Sequence, residues 1–248
     1  PVLALKRLPD GRLLVGGDFD STRKQPLRHL VALKEDGGID RSFSNKSAPN
    51  GSVCSILLQA DGKLLVSGNF NFCGNAPHDI IARFGPDGRL DQSFQAGSFT
   101  WAIRVRPALQ PDGRILVYGF FETIQEQKVI GLARLLQNGT LDTTFNHELA
   151  PNRYSTVYAL AVRPDGGIVC SSGEKDQSAE NTTYWVRHLL PSGKPDPDFV
   201  VSKANERTSL LAIDNEGALI LGGAFTYFGG SNYRYLIRME MNRSTTAQ

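Results

Sequence analysis

The chain has 248 residues, with 27 basic and 25 acidic side chains and a formal net charge of +2. Hydrophobic residues make up 40% and charged residues 21%, which excludes a disordered chain and leaves enough apolar surface for a real core. The charge balance gives no reason to expect nucleic acid as a partner, and no apolar run approaches the roughly 20 residues of a membrane-inserted helix.

The chain starts inside a strand pattern, "PVLAL", then makes the turn "PDGR" and continues as "LLVGGDF" at 13–19. That phrase returns as "LLVSGNF" at 64–70, "ILVYGFF" at 115–121 and "LILGGAF" at 219–225. The turns of this kind fall at Asp10, Asp61, Asp112, Asp165 and Glu216, in steps of 51, 51, 53 and 51 residues. A second turn follows at Asp36, Asp87, Asn138 and Ser192, and behind it come "IDRSF" (39–43), "LDQSF" (90–94), "LDTTF" (141–145) and "PDPDF" (195–199). A fixed period near fifty residues is the mark of a repeat architecture. The repeats run approximately over 1–50, 51–101, 102–154, 155–207 and 208–248, and form one domain.

The second unit shows the plan. "SVCSILL" (52–58) is a predicted strand, "QADG" a tight turn, "KLLVSG" (63–68) a strongly apolar strand and "IIARF" (80–84) a third; "RLDQSF" (89–94) is a short fourth. No helical periodicity competes with this reading. Hairpin-linked strands at this spacing make an antiparallel meander, which cannot bury both faces alone. Stacking the sheets radially buries them, so the expected fold is an all-β propeller of five blades with three to four strands each, with two alternatives: an incomplete last blade, or five repeats of a longer array. Pro107 interrupts the first strand of repeat three, which predicts a bulge or an edge there.

Residues that recur once per unit read as structure. Phe19, Phe70, Phe121 and Phe225 follow the second strand, and Phe43, Phe94, Phe145 and Phe199 close each "DxxF" element. A catalytic carboxylate is needed once per site, whereas Asp40, Asp91, Asp142 and Asp196 recur in four units. They are expected to accept backbone N–H groups at a turn or to pair with an arginine such as Arg83 or Arg134.

The stretch "LLQADGKLLVSGNFNFCGNAPHDIIARFGPDGRLDQSF" (57–94) resembles the delta-60 repeat, a β-propeller repeat found mostly in bacterial proteins. The resemblance is most specific in repeats one to three. Repeat four departs at "SSGEKDQSAENTTYW" (171–185), and repeat five has no "DGxLDxSF" after "LIRMEMN" (236–242). The resemblance implies a propeller from a large secreted or surface protein, and it supplies no catalytic residues to carry over.

Function must then sit in what does not recur. "CGNAPHD" (73–79) holds Cys73, His78 and Asp79, whose spacing matches no standard metal site. "GEKDQSAENTTYW" (173–185) is a charged, irregular loop with Glu174, Asp176, Glu180 and Trp185. "NHELAPNRYST" (146–156) is a longer linker with His147, Glu148 and Tyr154. "AFTYFGGSNYRY" (224–235) is aromatic, with Tyr227, Phe228, Tyr233 and Tyr235, and could stack on a sugar, on a partner chain or at a seam of the ring. The basic group Arg104, Arg106 and Arg114 reads as solvated surface. Three cysteines, Cys54, Cys73 and Cys170, show no CxxC; buried free thiols are expected, with a local Cys54–Cys73 bond the alternative.

No nucleotide-binding, zinc-protease or serine-hydrolase motif is present, so no cofactor and no catalytic residue is assigned. The expected function is a non-enzymatic interaction scaffold or structural subunit of an extracellular or surface assembly, with other protein subunits as partners. Trp185, Glu174, Asp176, Tyr227, Phe228 and Tyr233 are the candidate contact residues. A glycan-binding propeller is the alternative, and a polysaccharide-active enzyme using Glu174 and Asp176 is a third reading.

Overall fold

The computed structural model describes residues 1–20, 28–44, 46–147, 149, 155–175, 182–199 and 201–241. Among them there is no helix, and five main antiparallel sheets follow one another along the chain, with two small sheets formed by Phe72–Cys73 and Ala76–Pro77 and by Phe99–Thr100, Thr123–Ile124 and Gln127–Lys128. Repeat one contributes Val2–Arg7, Leu13–Gly17 and Leu30–Leu33. Repeat two contributes Ser52–Leu58, Leu64–Asn69 and Ile81–Phe84, and repeat three Ile103–Leu109, Ile115–Phe120 and Leu132–Leu135. Repeat four has Thr156–Val162, Ile168–Lys175, Thr182–Leu189 and Ser202–Ala204; repeat five has Thr208–Ile213, Leu219–Gly223 and Leu236–Met239.

The Asp-Gly turns work as their chemistry demands. The carboxylate oxygens of Asp10, Asp61, Asp112 and Asp165 each accept the backbone N–H two residues on, at 2.9 to 3.1 Å. The glycines after them hold φ between 81° and 88°, a left-handed conformation that a Cβ would strain. In repeat five Asp214, not Glu216, is the acceptor, for both Glu216 and Ala218.

In repeats two to four the middle strand is apolar on both sides because the sheet is covered on both sides. In repeat two, Leu64 and Val66 join the core shared with repeat one, while Leu65 and Ile81 join the core shared with repeat three. Two further junction cores join repeats three and four and repeats four and five. The first strands of neighbouring repeats run against one another, whereas the third strands stand further apart. The first strands are therefore the inner ones, converging on an axis.

Two expectations change in detail. The predicted fourth strand shrinks to one bridge per repeat: Leu33 to Ile39, Phe84 to Leu90, Leu135 to Leu141 and Leu189 to Pro195. The residues beyond each bridge turn inward to seat the "DxxF" phenylalanine, so no ladder can continue. Only repeat four carries a true fourth strand, Ser202–Ala204. The bulge in the first strand is not a consequence of Pro107, because all five first strands shift register at the same place. Pro107 is tolerated because each first strand pairs only with its second strand and presents a free edge. Among the described residues no sheet joins repeat five to repeat one.

The recurring carboxylates are structural, by both of the routes expected of them. Asp91 accepts the Ser93 backbone N–H at 3.0 Å and Ser93 hydroxyl at 2.6 Å on one oxygen, and the Arg83 Nε at 2.9 Å on the other. Asp142 does the same with Thr144 and with Arg134, whose Nε lies at 2.8 Å. The guanidinium then stacks on the phenylalanine of its own "DxxF", Arg83 on Phe94 at 4.9 Å and Arg134 on Phe145 at 4.6 Å. Its far nitrogen donates to a turn carbonyl of the next repeat: Arg83 to Gln137 at 2.5 Å and Arg134 to Pro191 at 2.6 Å. In repeat four His188 takes the arginine's place and bonds Asp196 through Nδ1 at 2.9 Å.

Candidate functional site

The inner strands of repeats three, four and five open onto a cleft of about 440 Å³. Arg104 and Arg106 reach it from repeat three, Thr156, Val157 and Tyr158 from repeat four, and Arg207 and Ser209 from repeat five. Ile103, Phe120 and Val157 supply apolar wall. Among the described residues no carboxylate lines the cleft, whereas Arg104, Arg106 and Arg207 do.

Local geometry explains how these groups are placed. The shared bulge interrupts pairing between Ile103 and Arg106, so the chain there is not held in a regular strand. Trp101 and Arg104 both take left-handed backbone conformations, at φ 53° and 56°. Non-glycine residues pay for that conformation, and such strain gathers at functional segments. Trp101 is 74% exposed and Ile103 60% exposed just ahead of the arginines. Arg106 donates a hydrogen bond to the Tyr118 hydroxyl, whose own pKa is raised by burial. The Arg207 guanidinium lies 5.5 Å from the centre of the Tyr158 ring, and Tyr158 stands 6.0 Å from Tyr184. Burial holds the Tyr158 hydroxyl above its ordinary range, with Tyr184 adding to the rise and Arg207 opposing it. At neutral pH the Tyr158 hydroxyl stays protonated and can donate a hydrogen bond.

The residues singled out from the sequence are placed differently. Glu174 and Trp185 come together with Arg187: Arg187 pairs with Glu174 at 2.5 Å and lies 5.0 Å from the Trp185 ring centre. Lys203 caps that ring at 4.8 Å. Trp185 is thus held between two cations and is not a free stacking platform. Asp176, Glu180, Glu148 and Tyr154 lie outside the described residues. Tyr227 and Tyr233 are exposed, at 43% and 47%, but Phe228 is 3% exposed and packs against Phe225 in the repeat-five core. Phe228 is corrected from a contact residue to a core residue; its neighbours on the chain point outward and it points in.

Cys73 and His78 are buried, and Asp79 is occupied in accepting the Phe99 backbone N–H at 2.8 Å. Burial pushes the thiols of Cys73 and Cys170 up to about 12, so both stay protonated and unreactive. All three cysteines are free. Among the described residues no group of three or more histidine, cysteine or acidic side chains is arranged to hold a metal ion. The basic group read as solvated surface divides: Arg114 pairs with Asp112 at the outer turn, whereas Arg104 and Arg106 line the cleft. Reading the sequence missed them because they belong to no motif, and because Arg207 joins them only through the stacking of repeats.

A protein family described as "Domain of unknown function (DUF5122) beta-propeller" matches residues 8–43, 59–94 and 110–145. Each matched segment runs from one first turn to the next "DxxF" phenylalanine, which is the unit read from the sequence as a delta-60 repeat. The chain carries DUF5122 β-propeller repeats. No curated protein matches it. Similar solved structures include a gluconolactonase from Xanthomonas campestris at 15% identity and TM-score 0.46, covering 87% of this chain and 66% of that one. A second, named as a candidate gluconolactonase, shares 20% identity at TM-score 0.46, covering 94% of this chain and 73% of that one. A third, a protein of unknown function from Bacteroides caccae, shares 16% identity at TM-score 0.42, covering 78% and 65%. The chain therefore spans about two thirds of the length of these structures. The expectation of a non-enzymatic interaction scaffold is corrected here. Two of the structures it is similar to are named for an enzyme activity, and a fold by itself does not exclude catalysis.

Proposed function

We propose that the five sheets are propeller blades and that the protein binds a small anionic organic molecule in the cleft at their inner edges. The observation that carries this reading is that Arg104, Arg106 and Arg207 line one cleft with no carboxylate among its described lining residues. Three guanidinium groups held close together repel one another, and an anion relieves that repulsion while accepting their hydrogen bonds. The Tyr158 hydroxyl and Ser209 offer neutral donors beside them, and Ile103, Phe120 and Val157 fit a carbon skeleton rather than a bare inorganic ion.

The test is calorimetric titration with a panel of organic carboxylates and phosphate esters, paired with inorganic phosphate. Binding of at least one organic anion is expected, weakening as salt rises. Arg106→Gln or Arg207→Gln should weaken it by roughly 10-fold to 100-fold, the worth of a hydrogen bond to a charged group. An affinity that neither substitution changes would place the ligand elsewhere, and the absence of binding across the panel would end the proposal.

A further inference from the structure

In the first three repeats the "DxxF" carboxylate holds a cation from the opening turn of its own repeat. Arg12 lies 3.3 Å from Asp40, Lys63 3.1 Å from Asp91 and Arg114 3.7 Å from Asp142. In repeats two and three a second cation, Arg83 or Arg134, bonds the same carboxylate from the third strand. Repeat four lacks both. Gly167 stands at the position of Arg12, Lys63 and Arg114, and His188 at the position of Arg83 and Arg134. Among the described residues Asp196 pairs with His188 alone. A cavity of about 170 Å³ opens beside Gly167 and His188, and Asp165, Asp196 and Asp198 line it with Phe199. Arg163 lines it too, but is paired with Asp165 at 3.2 Å. The cavity therefore has an acidic excess at the place where three other repeats put a positive side chain.

His188 supplies an independent sign of a ligand. It is 7% exposed, and its Nδ1 stands 2.9 Å from the Asp196 carboxylate. An ionised carboxylate only accepts, so Nδ1 carries the ring proton and Nε2 of the neutral ring is an acceptor. Burial lowers the pKa of the ring, which keeps it neutral at pH 7. Nε2 is buried and has no hydrogen-bond partner, a costly condition for a polar atom. It faces Gly167, where a Cβ would stand 2.8 Å from it. We propose that this cavity binds the guanidinium group of a small molecule, which donates to Asp196 and to His188 Nε2 and lies against Phe199. The chain itself shows the arrangement in repeat three, where Arg134 gives its Nε to Asp142 at 2.8 Å and stacks on Phe145 at 4.6 Å. A guanidinium is a planar fork of donors, so one group can meet both acceptors. The cavity shares no lining residue with the arginine-lined cleft, which makes it a second site of opposite charge.

The test is an NMR titration of isotope-labelled protein with methylguanidinium, set against tetramethylammonium at the same ionic strength. Tetramethylammonium has the same charge and no N–H donor. Methylguanidinium should move the Nε2 resonance of His188 and the amide of Asp198, whose N–H bonds Asp196 at 3.0 Å, along one saturating curve. Tetramethylammonium should saturate neither. His188→Arg supplies a guanidinium from the chain itself, as Arg134 does in repeat three. It should keep or raise the melting temperature and abolish the response at Asp198. Asp196→Asn retains an oxygen for the Asp198 N–H and should weaken binding about 10-fold or more, the worth of a hydrogen bond to a charged group. An equal response to the two cations, a shift that never saturates, or unchanged binding in a folded His188→Arg or Asp196→Asn protein would each overturn the proposal.

Discussion

Arginine is used in two ways in this molecule. At the outer edge Arg83 and Arg134 are 7% and 4% exposed, each bonded to its own carboxylate, stacked on its own phenylalanine and tied to the next repeat. At the inner edge Arg104, Arg106 and Arg207 line a common cleft with no carboxylate among its described lining residues. The outer arginines commit Nε to a carboxylate and a terminal nitrogen to the next repeat. Arg106 and Arg207 meet aromatic groups, Tyr118 and Tyr158, which orient a guanidinium without neutralising it. A paired arginine is a fastener between repeats, and an unpaired set is a receptor for charge supplied from outside. Substitutions that separate stability from binding test this contrast.

The largest effect is expected at the outer edge. Asp142 is 5% and Arg134 4% exposed as side chains, so Asp142→Ala leaves a guanidinium buried without its counter-ion. The cost should be about 3 kcal/mol, read as a fall in the denaturation midpoint, because an uncompensated buried charge loses more than the pair was worth. A loss below about 1 kcal/mol would show that the Pro191 carbonyl and Phe145 ring suffice to hold Arg134, and would weaken the claim that the carboxylate is the fastener.

The second effect isolates packing between repeats from backbone strain. Gly193 and Gly37 occupy the same turn position with φ of 94° and 80°. A methyl group at Gly193 would sit 2.7 Å from the Phe145 ring, whereas nothing lies within 4 Å of one at Gly37. Gly37→Ala should therefore cost only the left-handed conformation, about 1 kcal/mol. Gly193→Ala should cost about 2 kcal/mol more, because the "DxxF" phenylalanine must give way. Equal losses in urea denaturation would mean that the phenylalanine seat contributes little to the stacking of repeats.

A third effect concerns pH. Burial is the main cause that lowers the pKa of His78, His147 and His188, so all three are held neutral in the folded state. The unfolded chain takes up these protons first, at the ordinary histidine value near 6.5. The stability they contribute is fully present above that pH and is lost as pH falls below it. Lower still, Asp40, Asp91 and Asp142 add a second loss in the same direction. Hydrogen bonds from Ser42, Ser93 and Thr144 and the nearby arginines outweigh burial and keep their carboxyls below the usual range. Melting temperature should therefore decline from pH 7.5 to 5.5, and His188→Gln should make that decline shallower. An unchanged slope in the variant would remove His188 from the account.

The outer edge was legible in the sequence because it is written four times. "LDQSF" and "LDTTF" announce their carboxylate and phenylalanine, and Arg83 and Arg134 stand at matching places in adjacent repeats. The first-strand bulge was not legible, since it recurs in every repeat without a common residue and Pro107 lies beyond it, paired regularly with Val117. The inner cleft was not legible. Arg207 meets Arg104 and Arg106 only after two repeats have stacked, and the left-handed backbone at Trp101 and Arg104 leaves no trace in residue type. The aromatic run near Tyr227 misled for a related reason: a string of aromatics does not say which of its members the sheet turns inward, and Phe228 is the one it buries.

The smallest expected effect on stability is the most informative about the inner edge. Arg106→Gln removes a charge that no described carboxylate neutralises and shortens a side chain that is exposed at its strand. Its loss of the hydrogen bond to Tyr118 is offset by relief of repulsion from Arg104 and Arg207, so the midpoint should stay within about 0.5 kcal/mol of the parent. A slight gain would fit best, since separating like charges favours the folded state. The same substitution should nonetheless reduce anion affinity, because in the bound complex those three charges no longer repel through empty space but share one ligand. A residue that costs nothing to remove from the fold and much to remove from the complex is held there for the complex. If Arg106→Gln instead unfolded the protein as Asp142→Ala should, the division between fastening and receiving arginines would fail, and the cleft would be one more junction between repeats.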